Sequence, residues 1–306
     1  MSPSADWVAP AGADGADDRD PRIAVVTDST SALRPDEAAA LGVTIVPLHV
    51  IVDDVEHTEG VDIAPEQVME ALRRGRRVST SRPSPAAMLE CYEGLAAQGA
   101  QSIVSAHLSA QLSGTCDAAR LAAREAPVPV HVVDSGSTGL ALGYAVAAAV
   151  RGAAPAQGDD VDAVARGVAE EIGRRCGAST VFCYVHTLEH LRRGGRIGAA
   201  ASFLGGALAI KPIIALRDGH VEPVEKLRTS GRALSRLTEL SVQAAEQAGR
   251  PLRLAVQHAD ALERAQRLAA ELTERLDPVG VEVRELPAVL GVHLGPGTVA
   301  AVVAPA

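Results

Sequence analysis

The first half of the chain alternates short apolar runs of strand length with helical segments, and this pattern constrains the fold more than any other feature. Apolar runs lie at 23–26, 102–108 and 128–133, and the helical segments between them include Pro35–Leu41, which ends at Gly42. Strands that are apolar on both faces and separated by helices form a mostly parallel sheet with helices on both sides. We therefore predict an α/β fold for this half.

Further elements of the first half follow from local signals. Residues 43–52 form another strand-like run. Ser84-Pro85 combines an N-cap residue with proline at the first helical position, which predicts a helix to about Gln98. Helical segments at 114–124 and 139–150 complete a three-layer arrangement of helix, sheet and helix.

The second half carries a different signal, a hairpin in place of the strand–helix alternation. Apolar runs at 213–216 and 221–227 flank Asp218-Gly219, a turn that is typical of two antiparallel strands. Strands that pair by hairpin, with helices packed on one face, indicate an α+β domain. Three helices are also predicted here: one at 161–176, one that begins at Ser230 and a long one that runs through Leu276. The other predicted strands lie at 180–185, 252–257, 281–283 and 299–303.

Length and composition set the predicted domain boundaries. The chain has 306 residues, which exceeds the usual size of a single hydrophobic core. Ala, Pro, Gly and Asp cluster at 152–160 and indicate a linker, and residues 1–20 have the composition of a disordered tail. We predict a three-layer N-terminal α/β domain with a parallel sheet at 21–153, and a C-terminal α+β domain at 154–306.

Charge and composition narrow the functional classes. A formal net charge of −9 argues against a nucleic-acid partner, because neutralising phosphates requires a basic surface. The longest apolar stretches are too short to span a bilayer, and residues 1–20 lack the basic and apolar regions of a signal peptide. The four cysteines have no metal-ligand spacing, so we expect a cytoplasmic protein without a metal or another cofactor.

Short polar motifs follow the predicted strands of the first half. In open parallel sheets, ligands bind beyond the carboxyl ends of the strands, where hydroxyls and backbone N–H groups at helix starts can hold an anion. The same residue types also cap helices, which is the simpler explanation for any one motif. Their convergence on one edge of the sheet favours a binding site. The motifs are Asp28-Ser29-Thr30, Ser109 with Ser113-Gly114-Thr115, and Asp134-Ser135.

Two motifs of the second half add groups that suit an anion. Gly194 and Gly195 allow the backbone to come close to a ligand or a partner, and Arg196 offers a fork of donors matched to carboxylate or phosphate. His293, ahead of Gly295-Pro296-Gly297, serves either the structure or a site. The remaining chain is aliphatic, with only 2% aromatic residues, which suits an alkyl ligand but also follows from a GC-rich genome.

In order and spacing, these motifs resemble those of the DegV family, bacterial fatty-acid-binding proteins that present an acyl chain to a fatty acid kinase. The resemblance runs from about Ile23 to Val303 and rests on the whole set, since no single motif is specific. It implies a DegV-like two-domain fold with no catalytic residue and no metal. The set also includes Thr80-Ser81, Lys211-Pro212 and Arg228-Thr229.

The resemblance implies roles for particular residues. In the family, the fatty acid lies inside the N-terminal domain, and the hydroxyls that correspond to Thr80 and Ser113 hold its carboxylate. Arg196 and Arg228 match positions that face the kinase and the phosphate. The positions expected to support the head site are Asp28, Ser29, Ser81, Gly114, Thr115 and His293.

The implied ligand is a long-chain fatty acid such as palmitate, stearate or oleate, and the implied partner is a fatty acid kinase. Transient contact with a membrane is compatible with this role. The chain departs from the family at Arg82, where glutamine is common, at Cys116, where an aromatic residue is common, and at Leu294 and Pro296 in the histidine loop. These departures leave the carboxylate site intact and bear on chain specificity and on the kinase-facing loop.

Two alternatives from other classes stay open at this point. One is a hydrolase or phosphotransferase with Ser113 or Asp28 as nucleophile and His293 as base, although Ser113 lacks the Gly-x-Ser-x-Gly elbow. The other is a lipid-sensing regulator that changes its partners on binding. Hydroxyls can satisfy a carboxylate without a buried countercharge, and alkyl burial contributes about 0.8 kcal/mol per CH₂, which favours a carrier.

Overall fold

The computed structural model of the protein describes residues 22–153, 160–203, 210–249 and 251–306. The tail predicted at 1–20 and most of the linker predicted at 152–160 lie outside these residues. No helix within the described ranges is both long enough and apolar enough to cross a bilayer. The elements of the first half are β1 (Ile23–Asp28), α1 (Pro35–Leu41), β2 (Val43–Val46), β3 (His49–Val52), β4 (Val55–Thr58), α2 (Pro65–Arg73), β5 (Val78–Ser81), α3 (Pro85–Ala97), β6 (Ser102–His107), α4 (Thr115–Ala123), β7 (Val130–Asp134) and α5 (Leu140–Gly152). Those of the second half are α6 (Val161–Gly177), β8 (Thr180–Tyr184), α7 (Glu189–Gly194), β9 (Lys211–Arg217), β10 (His220–Leu227), α8 (Ser230–Ala248), β11 (Leu252–Ala259), α9 (Leu262–Leu276), β12 (Gly280–Glu285), α10 (Ala288–Leu294) and β13 (Thr298–Pro305).

The first sheet has four parallel strands in the order β2–β1–β6–β7, which confirms the predicted parallel sheet. Strand β6 is buried along its whole length. Helices α3 and α4 cover one face, where Met88 and Tyr92 pack with Ile103. Helices α5 and α6 cover the other face, where Val146 packs with Val104. The first domain is therefore the three-layer α/β arrangement that the sequence predicts.

Helix α6 covers a sheet that lies on the other side of the predicted domain boundary. Its buried residues Ala165, Val168 and Ile172 belong to the same core as Val25 and Val104 of the first sheet. These positions recur at the spacing of one helical face, so that face is the one directed at the sheet. The core of the first sheet thus extends beyond the boundary predicted at 153/154.

The run predicted as one strand at 43–52 is two strands that belong to different sheets, so that prediction is wrong. Strand β2 joins the first sheet, while β3 pairs antiparallel with both β4 and β5 in a separate small sheet. Pro47 lies between β2 and β3 and has no N–H with which to continue a ladder. The N–H of Leu48 donates to the Ser29 hydroxyl at 3.0 Å. The break creates the small sheet whose strand β5 carries Thr80.

The second sheet has six strands in the order β10–β9–β8–β13–β11–β12, in which β11 and β12 pair in parallel and the other neighbours antiparallel. The predicted hairpin of β9 and β10 is confirmed, and Asp218 and Gly219 at its turn have φ angles of 48° and 78°. Helices α8 and α9 cover one face, as predicted for an α+β domain. On the other face, Cys183 and Ile214 pack in one cluster with Leu140 of α5, and the two domains meet there.

Helix α10 is a short element that local sequence patterns do not predict, and it begins directly after Pro287. In its first turn the N–H of Val289 donates to Oε1 of the buried Glu59 at 2.7 Å. The helix packs in one apolar cluster with the small sheet. This packing brings His293 next to β5.

Candidate functional site

A partly buried hydrogen bond joins the two halves of the chain at the candidate site. Thr80 Oγ1 on β5 lies 2.9 Å from Nε2 of His293 on α10. Burial, reinforced by the charges of Arg196 and His190, lowers the pKa of His293 to about 4. The imidazole is therefore uncharged at neutral pH, and its contact with Thr80 joins two neutral groups.

Ser113 lies in a loop whose position depends on the second domain. Its Oγ is 2.9 Å from Thr115 Oγ1, and its N–H donates to the carbonyl of Ser109 at 3.1 Å. The Ser109 hydroxyl in turn donates to the carbonyl of Gly219, in the turn between β9 and β10, at 2.8 Å. The loop that carries Ser113 is thus tied to the hairpin of the second sheet.

Thr80, Ser113 and His293 line a cavity of about 340 Å³, which we call the lipid cavity after the ligand that the family resemblance implies. We call the part lined by these three residues its head end. Most of the remaining lining is apolar, as in typical small-molecule sites. It comes from both domains and includes Leu108, Leu112, Cys183, Ile214, Val221 and Leu290. The family resemblance implies a ligand inside the N-terminal domain, whereas this cavity takes its lining from both domains. Helices α8 and α9 leave one apolar face of the second sheet free, and that face forms part of the wall.

Arg196 connects the two domains at the head end of the lipid cavity. Its Nε donates to the carbonyl of Leu112 at 3.2 Å, and its Nη1 donates to the carbonyl of Gly194 at 2.5 Å. The two glycines before it serve different purposes. Gly195 has a φ of 68°, a left-handed conformation that glycine adopts at little cost. Gly194 lies against His293, where an added Cβ would be 2.2 Å from Nδ1.

The structure brings together six of the residues predicted for the site. The lining of the lipid cavity includes Thr80, Ser81, Ser113, Gly114, Arg196 and His293. The predicted residues that do not line it are Asp28, Ser29, Thr115 and Arg228. Thr115 is buried and touches Ser113 through its hydroxyl, whereas Arg228 is exposed just after β10. The roles of these residues toward a ligand or a kinase stay predictions.

Asp28, the last residue of β1, supports the site through hydrogen bonds to neighbouring segments. Its Oδ1 accepts from the N–H of Thr30 at 3.0 Å and from the Thr30 hydroxyl at 2.6 Å. Its Oδ2 accepts from the N–H of Leu108 at 2.9 Å and lies 3.1 Å from Nδ1 of His107. These bonds join the turn after β1 to the end of β6, where the Ser113 loop begins.

His107 belongs to a buried chain of hydrogen bonds that was not predicted. Its Nε2 lies 2.8 Å from Ser105 Oγ, and the Tyr92 hydroxyl donates to the same oxygen at 2.8 Å. Ser105, His107 and Asp28 follow the order of a hydrolytic triad. All three are fully buried and none lines the lipid cavity, so the chain serves to hold Asp28. The sequence signal that could have predicted this chain is strand alternation, which puts Ser105 and His107 on the same face of β6.

Ser29 lines a second cavity, also of about 340 Å³, beside α1. The carboxyl of Glu59 is buried in the wall of this cavity. Burial raises its pKa to about 7, against the opposing effects of the Ser29 hydroxyl and the N–H of Val289. The rim includes Arg284, which pairs with Glu37 at 2.7 Å. Ser29 was predicted to support the head site, and the structure places it at this second cavity instead.

A basic cleft of about 420 Å³ adjoins the head end of the lipid cavity. It shares Thr80, Arg196 and His293 with that cavity. Within the described ranges, no cluster of His, Cys, Asp or Glu has the make-up of a metal site. Sequence reasoning missed the other basic residues of the cleft, which are Arg76, Arg77, His190 and Arg193. The cluster of arginines at 73–77 was a signal for the first two.

Comparison with known proteins identifies the class of two-domain α/β protein to which this fold and cavity belong. A family model described as an uncharacterised protein of the DegV family matches residues 22–306. A DegV domain-containing protein of Streptomyces coelicolor is 45% identical over 92% of this chain and 98% of its own length. The chain therefore belongs to the DegV family.

Solved structures of this family share both domains with the chain. A DegV family protein from Thermus thermophilus, described as binding fatty acid, is 33% identical with a TM-score of 0.80 over 92% of this chain and 99% of its own. DegV from Bacillus subtilis, described as a fatty acid binding protein, is 28% identical with a TM-score of 0.81 over 92% and 99% of the two chains. The similarity thus extends over the whole of each solved chain.

Gly194→Ala should displace His293 and break its hydrogen bond with Thr80, because the added methyl group would lie 2.2 Å from the imidazole. Gly195→Ala is the matched control, since its methyl group would enter open space. The only expected cost is about 1 kcal/mol for holding alanine in a left-handed conformation. NMR titration of His293 measures the effect. We expect its pKa to rise from about 4 toward the ordinary value in Gly194→Ala alone. An unchanged pKa in that variant would show that the close contact does not position His293.

Proposed function

We propose that the protein binds one long-chain fatty acid in the lipid cavity and presents it to a separate fatty acid kinase. The observation that carries this proposal is the lining of the cavity, which combines the hydroxyls of Thr80 and Ser113 and an uncharged imidazole with mostly aliphatic side chains. Thr80 and Ser113 hold the carboxylate, with Ser81, Gly114 and His293 around them. The fatty-acid-binding descriptions of the Thermus and Bacillus relatives support the proposal.

The chemistry of the cavity suits an acid with a long alkyl chain. A polar group taken out of water costs free energy unless hydrogen bonds satisfy it, and the hydroxyls of Thr80 and Ser113 are donors for a carboxyl group. Each buried CH₂ contributes about 0.8 kcal/mol, so the alkyl chain supplies most of the affinity. The head group then sets the orientation. Palmitate, stearate and oleate all meet these requirements.

The basic cleft at the head end suits the phosphoryl group of the product. It adds His190 and Arg193 to the residues shared with the lipid cavity. A guanidinium group can donate two parallel hydrogen bonds to two oxygens of one phosphate. In the proposed reaction, a carboxylate oxygen of the acid attacks the terminal phosphorus of ATP held by the kinase. The bond from that phosphorus to the bridging oxygen breaks, ADP leaves, and an acyl-phosphate remains on the carrier.

Contact with the kinase is assigned to an exposed arginine of the second domain. Arg228 is exposed between β10 and the N-cap residue of α8, Thr229, which suits a contact with a partner better than one with a bound acid. The protein would act in the cytoplasm and take its acid from a membrane by transient contact. Its own residues would supply binding and orientation, and the kinase would supply ATP and the metal.

The geometry does not favour a hydrolase or phosphotransferase. An activated serine needs a base within hydrogen-bond reach. In the described part of the chain, the Ser113 hydroxyl is paired with Thr115, while His293 is paired with Thr80. Asp28 is fully buried and does not line the lipid cavity. A lipid-sensing regulator would use the same cavity and would differ from a carrier only in its partner.

Protein purified from bacteria should carry a stoichiometric long-chain fatty acid, which mass spectrometry detects after denaturation. Thr80→Ala combined with Ser113→Ala should lose most of this lipid, because each lost hydrogen bond to a charged group costs about 1.5–3 kcal/mol. The control, Ser84→Ala with Thr229→Ala, removes two hydroxyls that cap helices outside the cavity and should keep its lipid. Thermal unfolding would establish that both variants fold.

Two results of this experiment would contradict the proposal. Recovery of no fatty acid from the unaltered protein would oppose lipid binding itself. A full complement of lipid in the variant that lacks the Thr80 and Ser113 hydroxyls would place the carboxylate elsewhere.

Arg196→Ala should separate binding from presentation. The variant should copurify with fatty acid but fail to support acyl-phosphate formation by the cognate kinase, because the guanidinium suits a phosphoryl group that develops only during transfer. Arg192→Ala is the control, since Arg192 is exposed, pairs with Glu189 and lines neither the lipid cavity nor the basic cleft. An Arg196→Ala protein that emerges empty would make Arg196 a carboxylate ligand, and one that supports full transfer would remove its proposed role.

A further inference from the structure

Arg82 stands at the opening of the lipid cavity, two residues after Thr80 and one residue beyond the end of β5. It lines this cavity together with Thr80 and Ser113, although its side chain is exposed. Its guanidinium lies directly on Gly114, where an added Cβ would be 1.9 Å from Nη1. Gly114 is the N-cap residue of α4 and follows Ser113. The guanidinium therefore contacts the residue next to Ser113.

Arg82 carries a charge that no side chain of the described residues neutralises. Within the described ranges it takes part in no hydrogen bond and no ion pair. The other arginine of the cavity, Arg196, is bonded to two backbone carbonyls. No aspartate or glutamate of the described residues lines the cavity. A cation without a counterion at the opening of an apolar cavity is suited to the head group of an anionic amphiphile.

Few other titratable groups face this position from the surrounding elements. The segment after α7 supplies Arg196, and α10 supplies His293, which burial keeps uncharged at neutral pH. His190 on α7 is part of the adjoining cleft, and burial lowers its pKa as well. On β4, Glu56 accepts from the hydroxyl of the residue before Arg82 at 3.1 Å and does not line the cavity. The balance of charge around the head position is therefore positive.

We propose that Arg82 binds the ionised carboxylate of the fatty acid and makes the head site selective for that charged form. The inference rests on the proposed function of the lipid cavity. The hydroxyls of Thr80 and Ser113 can bond either a carboxylate or a carboxylic acid, so they do not distinguish the two. An arginine favours the anion alone, because it is charged at every physiological pH and its planar fork matches two carboxylate oxygens.

The exposure of Arg82 sets the size of the expected effect. Solvent screens the interaction between an exposed guanidinium and an anion, so Arg82 adjusts the protonation of the head group and contributes little to overall affinity. Its flexible side chain can exchange the contact with Gly114 for one with a carboxylate. The acid should therefore stay bound when Arg82 is replaced, held by its alkyl chain and by the hydroxyls.

The test follows the carboxyl carbon of bound palmitate labelled with ¹³C at C1, in the full chain saturated with the acid. The ¹³C chemical shift reports the ionisation of the bound carboxyl group as the pH is varied. In the unaltered protein its titration midpoint should lie about half a pH unit below the midpoint in Arg82→Gln. Arg82→Lys should restore part of the difference, since it returns the charge without the fork. Arg124→Gln, which removes an exposed arginine at the end of α4, should titrate as the unaltered protein does.

The outcomes distinguish a failure of the role of Arg82 from a failure of the proposed fatty-acid binding. Equal midpoints in the unaltered protein and in Arg82→Gln would overturn the role of Arg82 while leaving lipid binding intact. Failure of the unaltered protein to bind the labelled palmitate would instead overturn the proposed function. A midpoint that shifts equally in Arg124→Gln would mean that net charge, and not contact with the head group, controls the ionisation.

Discussion

The candidate site depends on one partly buried hydrogen bond, between Thr80 and His293, which joins residues 213 positions apart in the chain. The bond requires a glycine at position 194, because any side chain there would meet the imidazole. It also requires α10 to be fixed against the small sheet, where Glu59 accepts from its first turn. Since burial keeps His293 uncharged at neutral pH, the positive charge at the head of the cavity lies on arginine side chains alone.

The lipid cavity is a product of two unlike domains. The parallel sheet of the first domain supplies polar loops at the carboxyl ends of its strands, and Asp28 and Ser109 tie these loops in place. The second sheet supplies an apolar wall, because its helices cover one face and leave Cys183 and Ile214 on the other. A ligand in this cavity would contact both domains, since Thr80 and Ser113 belong to the first and His293 and Ile214 to the second, so its binding would stabilise their relative arrangement.

Features that depend on neighbours in the sequence could be predicted, and features that depend on distant contacts could not. The parallel sheet, the hairpin at Asp218-Gly219 and the helix after Ser84 follow from local patterns. The packing of α6 and the position of the cavity between the domains depend on tertiary contacts, whereas the break at Pro47 has a local cause in the missing N–H of proline. The head site shows the same limit. Ser29 adjoins Asp28 in one polar motif, yet it lines a different cavity, while Arg82 lines the lipid cavity and contacts Gly114, which is distant in the sequence.

The most direct measurement is a crystal structure of the protein with the fatty acid that it retains on purification. If the cavity between the domains holds the lipid, the carboxyl group will lie within hydrogen-bond distance of Thr80 Oγ1 and Ser113 Oγ. The electron density of the alkyl chain will then run past Cys183 and Ile214 of the second sheet. Density for the alkyl chain in the second cavity, beside α1 and Glu59, would contradict this assignment.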